Sequence, residues 1–188
     1  MRIAIAGAGK VGLSLADELA HNGHEVLLID RDAKVVDVSV PGVTPVRADA
    51  CEVESLSLVH LEDCHVMIAA TGDDKANLVV SLLAKTEFSV PRVVARVNHP
   101  DNEWMFDDMW GVDVAVSTPR MLSALVEEAV TTGDLVELMS LRKGSASLME
   151  FTLTPDNAIV GSPVGAVHWP IDTSLACILR DRSVITPT

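Results

Sequence analysis

The chain has 188 residues, 48% of them apolar, and a formal net charge of −13 at neutral pH. This length accommodates one α/β domain and a small second lobe, but not a full two-domain dehydrogenase. The negative charge disfavours binding to nucleic acid or to an anionic membrane surface, and no apolar run approaches the roughly 18 residues that a membrane span needs. Because a strand-like run begins at Arg2, we expect no signal peptide, no direct membrane insertion and a cytoplasmic protein.

The first thirty residues carry a nucleotide-binding pattern. An apolar run over 2–6 predicts a buried parallel strand, and a G-x-G-x-x-G turn follows it at once. An apolar residue then recurs every four positions, which predicts an amphipathic helix that ends at Gly23. A second apolar run ends in Asp30. Strand, turn, helix, strand and terminal acid form the dinucleotide-binding fingerprint, whose turn consists of Gly7, Ala8, Gly9, Lys10, Val11 and Gly12.

Each glycine of this turn has an expected role. Gly7 permits the tight turn, Gly9 lets a pyrophosphate approach the backbone, and Gly12 lets the helix pack closely on the sheet. The helix N-terminus offers N–H groups and a partial positive charge to the phosphates. Asp30 is placed to accept hydrogen bonds from ribose hydroxyls, which favours NAD or an adenosine nucleotide over NADP, although the neighbouring Arg31 weakens that preference. The alternative is that the glycines only tighten the turn.

Strands and helices continue to alternate along the chain. Beyond a short helix capped by Asp32, the pattern predicts strands over 43–46, 66–70, 92–97 and 112–116 and helices over 52–60, 75–85, 102–110 and from Pro119 onward. We expect Asp101 to cap the helix over 102–110. We expect core and edge packing, rather than a cofactor-binding group, from the large side chains of that helix, which are Trp104, Met105, Phe106, Met109 and Trp110. The alternation predicts an α/β fold of the Rossmann type, with a doubly wound parallel sheet covered on both faces.

Polar residues follow two of these strands at the sheet edge where open α/β proteins bind ligands. Thr71, Gly72 and Asp73 come directly after the fourth strand, and Arg96 lies near the end of the fifth. Asp74 either caps the next helix or contacts a ligand. Arg96 is either a solvated charge or the partner of a phosphate or carboxylate.

The helix that begins near Pro119 has a broad apolar stripe, which either packs on its own sheet or faces a second subunit. Residues 131–134 then break the pattern. The segments beyond predict a small β-rich C-terminal lobe, with strands over 135–141, 147–153 and 174–179. We therefore predict a nucleotide-binding domain over 1–134 and a lobe over 135–188.

The cysteines and histidines show no metal-binding spacing. Cys51, Cys64 and Cys177 form no C-x-x-C pattern, and His60 and His65 beside Cys64 are better explained as surface and strand-end residues than as zinc ligands. We expect three free thiols and no metal site.

Several spaced motifs occur together and carry a family resemblance. They are the glycine turn, Asp30, Ala48-Asp49-Ala50, Ala70-Thr71-Gly72-Asp73-Asp74 with Asn77-Leu78, Ala95-Arg96-Val97-Asn98, and Gly111-Val112-Asp113 before Thr118-Pro119. With these motifs, residues 1 to about 135 resemble the RCK (KTN) family of TrkA-type potassium-uptake regulators. The region beyond resembles the small C-terminal domain of that family, but the family pattern continues past the point where this sequence stops, so we expect an incomplete lobe.

The resemblance implies a regulator of potassium conductance rather than an enzyme. Such proteins bind NAD(H) or ATP/ADP, form a homo-dimer or ring, and sit at the inner face of the cell membrane through a membrane potassium transporter or channel subunit. The resemblance also places the adenine end of the nucleotide at Asp49 and Ala50 and its nicotinamide or distal phosphate side at Thr71 and Gly72, with Arg96 reaching toward it. The helix over 119–130 matches the element used for subunit contact.

Two other functions are possible on the residues alone. A small NAD-dependent oxidoreductase would need an acid or base beside the nicotinamide. The chain has no tyrosine, which excludes a Tyr-x-x-x-Lys dehydrogenase, and His65 and His99 are more simply loop or strand-end residues. A nucleotide-sensing transcription factor would need a DNA-binding element, and neither a helix-turn-helix pattern nor a basic charge is present.

Overall fold

The computed structural model describes residues 1–130, 135–141, 146–181 and 183–187. Its main sheet has six parallel strands in the order β3-β2-β1-β4-β5-β6. These strands are β1 (Arg2–Ala6), β2 (Glu25–Asp30), β3 (Val43–Arg47), β4 (Val66–Ala69), β5 (Arg92–Val97) and β6 (Val114–Ser117). Successive strands are added toward one edge of the sheet from β1 to β3 and toward the other edge from β4 to β6. The strand order therefore switches between β1 and β4, and in such sheets the crevice at this switch point is the usual ligand site. The predicted Rossmann-type sheet is confirmed.

In the described part of the chain, four α-helices accompany these strands, namely α1 (Lys10–His21), α2 (Val53–Leu58), α3 (Asp74–Thr86) and α4 (Thr118–Val130). Asp32 accepts from Lys34 N at 3.0 Å and so caps the predicted short helix, which is a 3-10 helix over Ala33–Asp37. Gly23, with φ of +82°, ends α1 as predicted. Among the described residues, no helix is long and apolar enough to cross a membrane.

The core lies on both faces of the sheet. On one face, Ile5 and Leu28 of the central strands pack with Ala16 of α1. On the other face, Met67 and Val93 pack with residues of α2 and α3. The sequences of these strands are nearly continuous apolar runs because both faces of the sheet are covered, as expected for a parallel sheet.

The segment between β5 and β6 differs from the prediction. Instead of one helix over 102–110, it forms two 3-10 helices, Pro100–Met105 and Asp108–Trp110. The break occurs because the Asp107 carboxylate accepts from Met109 N at 2.9 Å and starts a new turn there. Asp101 is not the cap, since it lies inside the first 3-10 helix and His99 occupies the N-cap position.

The predicted core and edge packing of this segment is confirmed for Met105 and Phe106 but is wrong for Trp104 and Met109. Trp104 is 78% exposed and Met109 is 86% exposed, and Trp110 is only partly covered. Phe106 alone is fully buried there, at 6% exposure. With the helix broken into two turns, the four-residue spacing no longer places these side chains on one face.

Helices α2 and α4 both carry exposed apolar side chains. In α2, Leu56 is fully buried, whereas Val53 is exposed and does not share its face. Those side chains of the α4 stripe that the structure describes are exposed and do not pack on the main sheet. Its exposed apolar residues are Met121, Leu122, Leu125, Val126 and Val130.

The C-terminal region is β-rich, as predicted. An antiparallel hairpin joins β7 (Leu135–Leu141) to β8 (Ala146–Phe151), and a second pairs β9 (Ile178–Arg180) with β10 (Ser183–Ile185). The strand predicted over 174–179 is shorter than expected, since β9 begins four residues later, at Ile178, and ends at Arg180. The break predicted at residues 131–134 lies outside the described residues, and the division into two domains stays a prediction.

Candidate functional site

The glycine turn begins where β1 leaves the sheet. Gly7 has φ of +106°, a conformation that residues with a side chain rarely adopt. Its N–H donates to Ile29 O at 2.8 Å, and a Cβ at this position would lie 2.9 Å from Thr71 N. The turn is therefore held between the ends of β2 and β4, at the switch point of the sheet.

Steric contacts explain why glycine is needed at some positions of this turn but not at all three. A Cβ on Gly12 would overlap the carbonyl oxygen of Gly7, so α1 can follow the turn only with glycine there. A Cβ on Gly9 would meet no atom within 4 Å, and Gly9 has an ordinary φ of −71°. The fold thus accounts for glycine at positions 7 and 12 but not at position 9.

The N-terminus of α1 lies at Gly9, the glycine that the fold does not explain. Gly9 is the N-cap, no side chain caps the helix, and the first turn contains no acidic residue. The first N–H groups of a helix have no partner within it, and they carry the positive end of the helix dipole. Lys10 is exposed at the same end. This arrangement can bind an anion such as a phosphate.

Asp30 lies beside the turn at the end of β2. Its Oδ2 accepts from Ala8 N at 2.6 Å and its Oδ1 accepts from Asp32 N at 2.9 Å. These two bonds orient the carboxylate and couple it to the glycine turn. Two carboxylate oxygens offer about four acceptor positions, so Asp30 can still accept from a hydroxyl group.

Two open cavities border the end of β2. One, of about 320 Å³, is lined by residues of the glycine turn, by Asp30 and by the 3-10 helix that follows it. The other, of about 390 Å³, is lined by Arg31, Arg47, Ala48, Asp49, Glu52 and Ser55. The structure therefore brings Asp49 and Arg31 together, and Asp49 also orders its own loop by accepting from Cys51 N at 2.9 Å. Ala50 is only partly buried, against the core.

The other side of the cleft begins at the end of β4. Gly72 resembles Gly9, because a Cβ there would meet no atom within 4 Å. Asp73 caps α3 by accepting from Lys75 N at 2.9 Å. The Thr71 hydroxyl lies 2.7 Å from Asn77 Oδ1 and 3.0 Å from Asp73 O, so its hydrogen-bonding capacity is largely used within the protein.

Asp74 does not cap α3, because Asp73 is the N-cap residue. Its carboxylate is only 7% exposed and accepts from Asn98 N at 2.6 Å, from His99 N at 3.0 Å and from Asn102 Nδ2 at 2.8 Å. Burial alone would raise the pKa of Asp74, but these hydrogen bonds outweigh it and lower that pKa. The predicted capping role of Asp74 is therefore wrong, because its carboxylate holds the loop after β5, and ligand contact by Asp74 stays a prediction.

Asn77 is the polar residue that the site prediction missed. It is completely buried in α3, and its amide bonds to Thr71 and to the backbone of Arg96. A sequence signal was present, because Asn77 and Ser81 interrupt an otherwise apolar face of α3 at a spacing of four residues.

Arg96 extends from β5 toward α4. Its Nε donates to Thr118 Oγ1 at 3.3 Å, and its side chain is only partly exposed. It is therefore not a fully solvated charge. The structure brings Arg96 to the same sheet edge as Thr71 and Gly72, on the neighbouring strand.

The three cysteines form no disulfide among the described residues; Cys51 and Cys177 are exposed and Cys64 is buried. Burial raises the pKa of the Cys64 thiol, which keeps it protonated. Within the described part of the chain, no group of three or more His, Cys, Asp or Glu residues could hold a metal ion.

The sheet order and the glycine-lined crevice define a Rossmann-type domain. The chain belongs to the TrkA-N domain family, whose model matches residues 3–118. It is 55% identical over its full length to the "Trk system potassium uptake protein TrkA" of Mycobacterium tuberculosis, covering 86% of that protein.

Comparison with solved structures gives the same Rossmann-type class of domain. The GsuK structure bound to ADP is 28% identical, with a TM-score of 0.57 over 68% of this chain and 34% of that one. The GsuK channel bound to NAD has a TM-score of 0.65 over 73% of this chain and 25% of that one, at 17% identity, which supports the fold alone.

Proposed function

We propose that this protein is a nucleotide-binding regulatory subunit of a membrane potassium transporter or channel, and not an enzyme. It takes NAD(H) or ATP/ADP into the cleft at the carboxyl ends of β1, β2 and β4. The bound nucleotide then biases how copies of the chain associate, and this changes potassium uptake.

The observation that carries the nucleotide proposal is Gly9. The fold does not require glycine there, yet this position lies at the uncapped N-terminus of α1. A phosphate group that contacts the backbone at this point would exclude any side chain. The nearby carboxylate of Asp30 supplies the acceptor that an adenosine ribose needs.

Further residues follow from the position of the phosphates. We assign the pyrophosphate to the turn over 7–12 and the ribose to Asp30. The adenine end extends over the cavity lined by Arg31 and Asp49, next to Ala50. The distal half passes Thr71, Gly72 and Asp73 and approaches Arg96.

The partner proposal rests on the relatives. The mycobacterial relative is a Trk system potassium uptake protein, and GsuK is a channel whose structures hold NAD and ADP. We infer that this chain acts on a membrane potassium transporter or channel from the cytoplasmic side, through protein contact. Its net charge of −13 supports contact through a protein rather than through anionic lipid.

Regulation by population shift needs at least two arrangements of subunits. The exposed apolar stripe of α4 offers a surface for subunit contact in a homo-dimer or ring. A nucleotide that binds one arrangement more tightly shifts the equilibrium toward it, with a typical coupling of about 1–3 kcal/mol.

The test is to titrate NADH, NAD, ATP and ADP into the full chain while light scattering follows its oligomeric size. Micromolar binding without turnover, together with a change in size, supports the proposal. Hydride exchange with small carbonyl compounds would instead support the oxidoreductase alternative, and absence of binding would contradict both.

A further inference from the structure

Asn77 joins two neighbouring strands at the edge of the cleft. Its Nδ2 donates to Thr71 O at 3.2 Å and to Arg96 O at 2.8 Å. Its Oδ1 accepts from Thr71 N at 2.9 Å and from the Thr71 hydroxyl at 2.7 Å. The two donors and two acceptor positions of the amide are all used, and the side chain is 0% exposed.

This amide is not explained by the stability of α3 alone. Asparagine is a poor helix former, and a leucine would bury more apolar surface in the adjoining core of Leu78 and Val97. What the amide adds is a fixed geometry at the point where β4 passes into Gly72 and where β5 carries Arg96. A second amide supports it, since Asn98 Nδ2 donates to Thr71 O at 3.0 Å.

We propose that Asn77 is the positioning residue for the distal half of the nucleotide, the part beyond the phosphates at α1. It holds the backbone of Thr71 and Gly72 and the strand of Arg96 where the nicotinamide half passes. This inference rests on the proposed function. It also implies that Thr71 acts through its place in this network and not by hydrogen-bonding the nucleotide, because its hydroxyl, N–H and carbonyl are already hydrogen-bonded within the protein.

The test compares NADH with ADP. The two ligands share adenosine and diphosphate, and only NADH extends past Gly72. The variant is Asn77→Asp, which keeps the side-chain shape but replaces two donors with an oxygen that faces the carbonyls of Thr71 and Arg96. We expect NADH affinity to fall by at least about tenfold, because buried acceptors lose their donors, while ADP affinity stays within about twofold.

The matched control is Ser81→Ala, one turn further along α3. Ser81 is also completely buried, and its hydroxyl donates to Asn77 O at 2.7 Å without touching the cleft. A purely structural effect of disturbing α3 would appear in this variant too. We expect Ser81→Ala to lower the melting temperature and to leave the ratio of NADH to ADP affinity unchanged.

The outcomes separate the inference from the proposed function. If the wild-type chain binds neither ligand, the proposed function fails. If the wild-type chain binds ADP but not NADH, or if Asn77→Asp weakens both ligands equally, the positioning role is wrong. Should Asn77→Asp not fold, Asn98→Ala removes the second donor to Thr71 O. A smaller loss confined to NADH supports the inference, and an equal loss for both ligands overturns it.

Discussion

Replacing Gly9 with alanine separates what the fold needs from what a ligand needs. The backbone there has φ of −71° and ψ of −177°, which alanine adopts without strain, and the added methyl group meets no atom within 4 Å. The variant therefore removes space at the N-terminus of α1 without straining the fold.

The expected magnitudes differ sharply between folding and binding. Alanine restricts the unfolded chain, which stabilises by about 0.4–1 kcal/mol, and it is a poorer N-cap than glycine, which costs a similar amount. The free energy of unfolding should change by less than about 1 kcal/mol. A methyl group in the phosphate position would break at least one charge-assisted hydrogen bond, worth about 1.5–3 kcal/mol, which is roughly a 10- to 100-fold loss of affinity.

The assay pairs chemical denaturation with calorimetric titration of ADP and NADH. Gly165→Ala is the matched control, because a Cβ there also meets no atom within 4 Å and Gly165 lies outside the cleft. Gly12→Ala is the opposite control, because its Cβ would overlap the carbonyl oxygen of Gly7 and should destabilise the fold. If Gly9→Ala bound both nucleotides as tightly as the wild-type chain, the proposal that phosphates contact this backbone would be refuted.

Three further predictions concern other parts of the molecule. Asp30→Ala should weaken NADH binding by about tenfold in the same titration, because a charged acceptor for the ribose is lost; unchanged affinity would show that the ribose lies elsewhere. The folded-state pKa of Asp74 is lowered, so its contribution to stability is complete above its unfolded value of about 3.9 and is lost as the pH falls through the folded value. Asp74→Asn should therefore lower stability at pH 7 and show a shallower acid limb than the wild-type chain in denaturation curves from pH 2 to 7, and parallel curves would contradict this. Leu122→Ser should change the unfolding free energy of a monomer by less than about 0.5 kcal/mol, because Leu122 is 62% exposed, but should reduce self-association in sedimentation experiments; a large loss of monomer stability would show that α4 packs within its own subunit.

Most of the sheet could be predicted because periodicity and glycine placement report on it directly. The apolar strands are buried on both faces, and Gly7, Gly23 and Asp32 mark where elements begin and end. Of the residues proposed to bind nucleotide, Asp30 and the glycine turn are joined by a hydrogen bond of 2.6 Å, as their strand-end positions imply. This contact can be predicted without knowing the register between the strands, because the carboxyl ends of parallel strands lie at the same edge of the sheet.

The features that sequence reasoning missed depend on contacts between distant residues. The position of Asp74 at the start of a helix predicts a cap or a ligand contact, whereas its carboxylate bonds to the loop 24 to 28 residues away. Asn77 could be identified as unusual in an apolar helix face, but its partners on β4 and β5 follow only from the packing of α3 on the sheet. The two 3-10 helices before β6 form because Asp107 caps a local turn. The apolar residues of this segment have a regular helical spacing, so their pattern alone predicts one continuous helix.

Amide hydrogen exchange with and without NADH tests the central claim most directly, since it reports where on the chain the nucleotide acts. We predict that saturating NADH slows exchange at the backbone amides of residues 8–13, with little change at the amino ends of the strands. Exchange at these amides that stays the same with NADH, NAD, ATP and ADP would contradict the claim that this cleft binds a nucleotide.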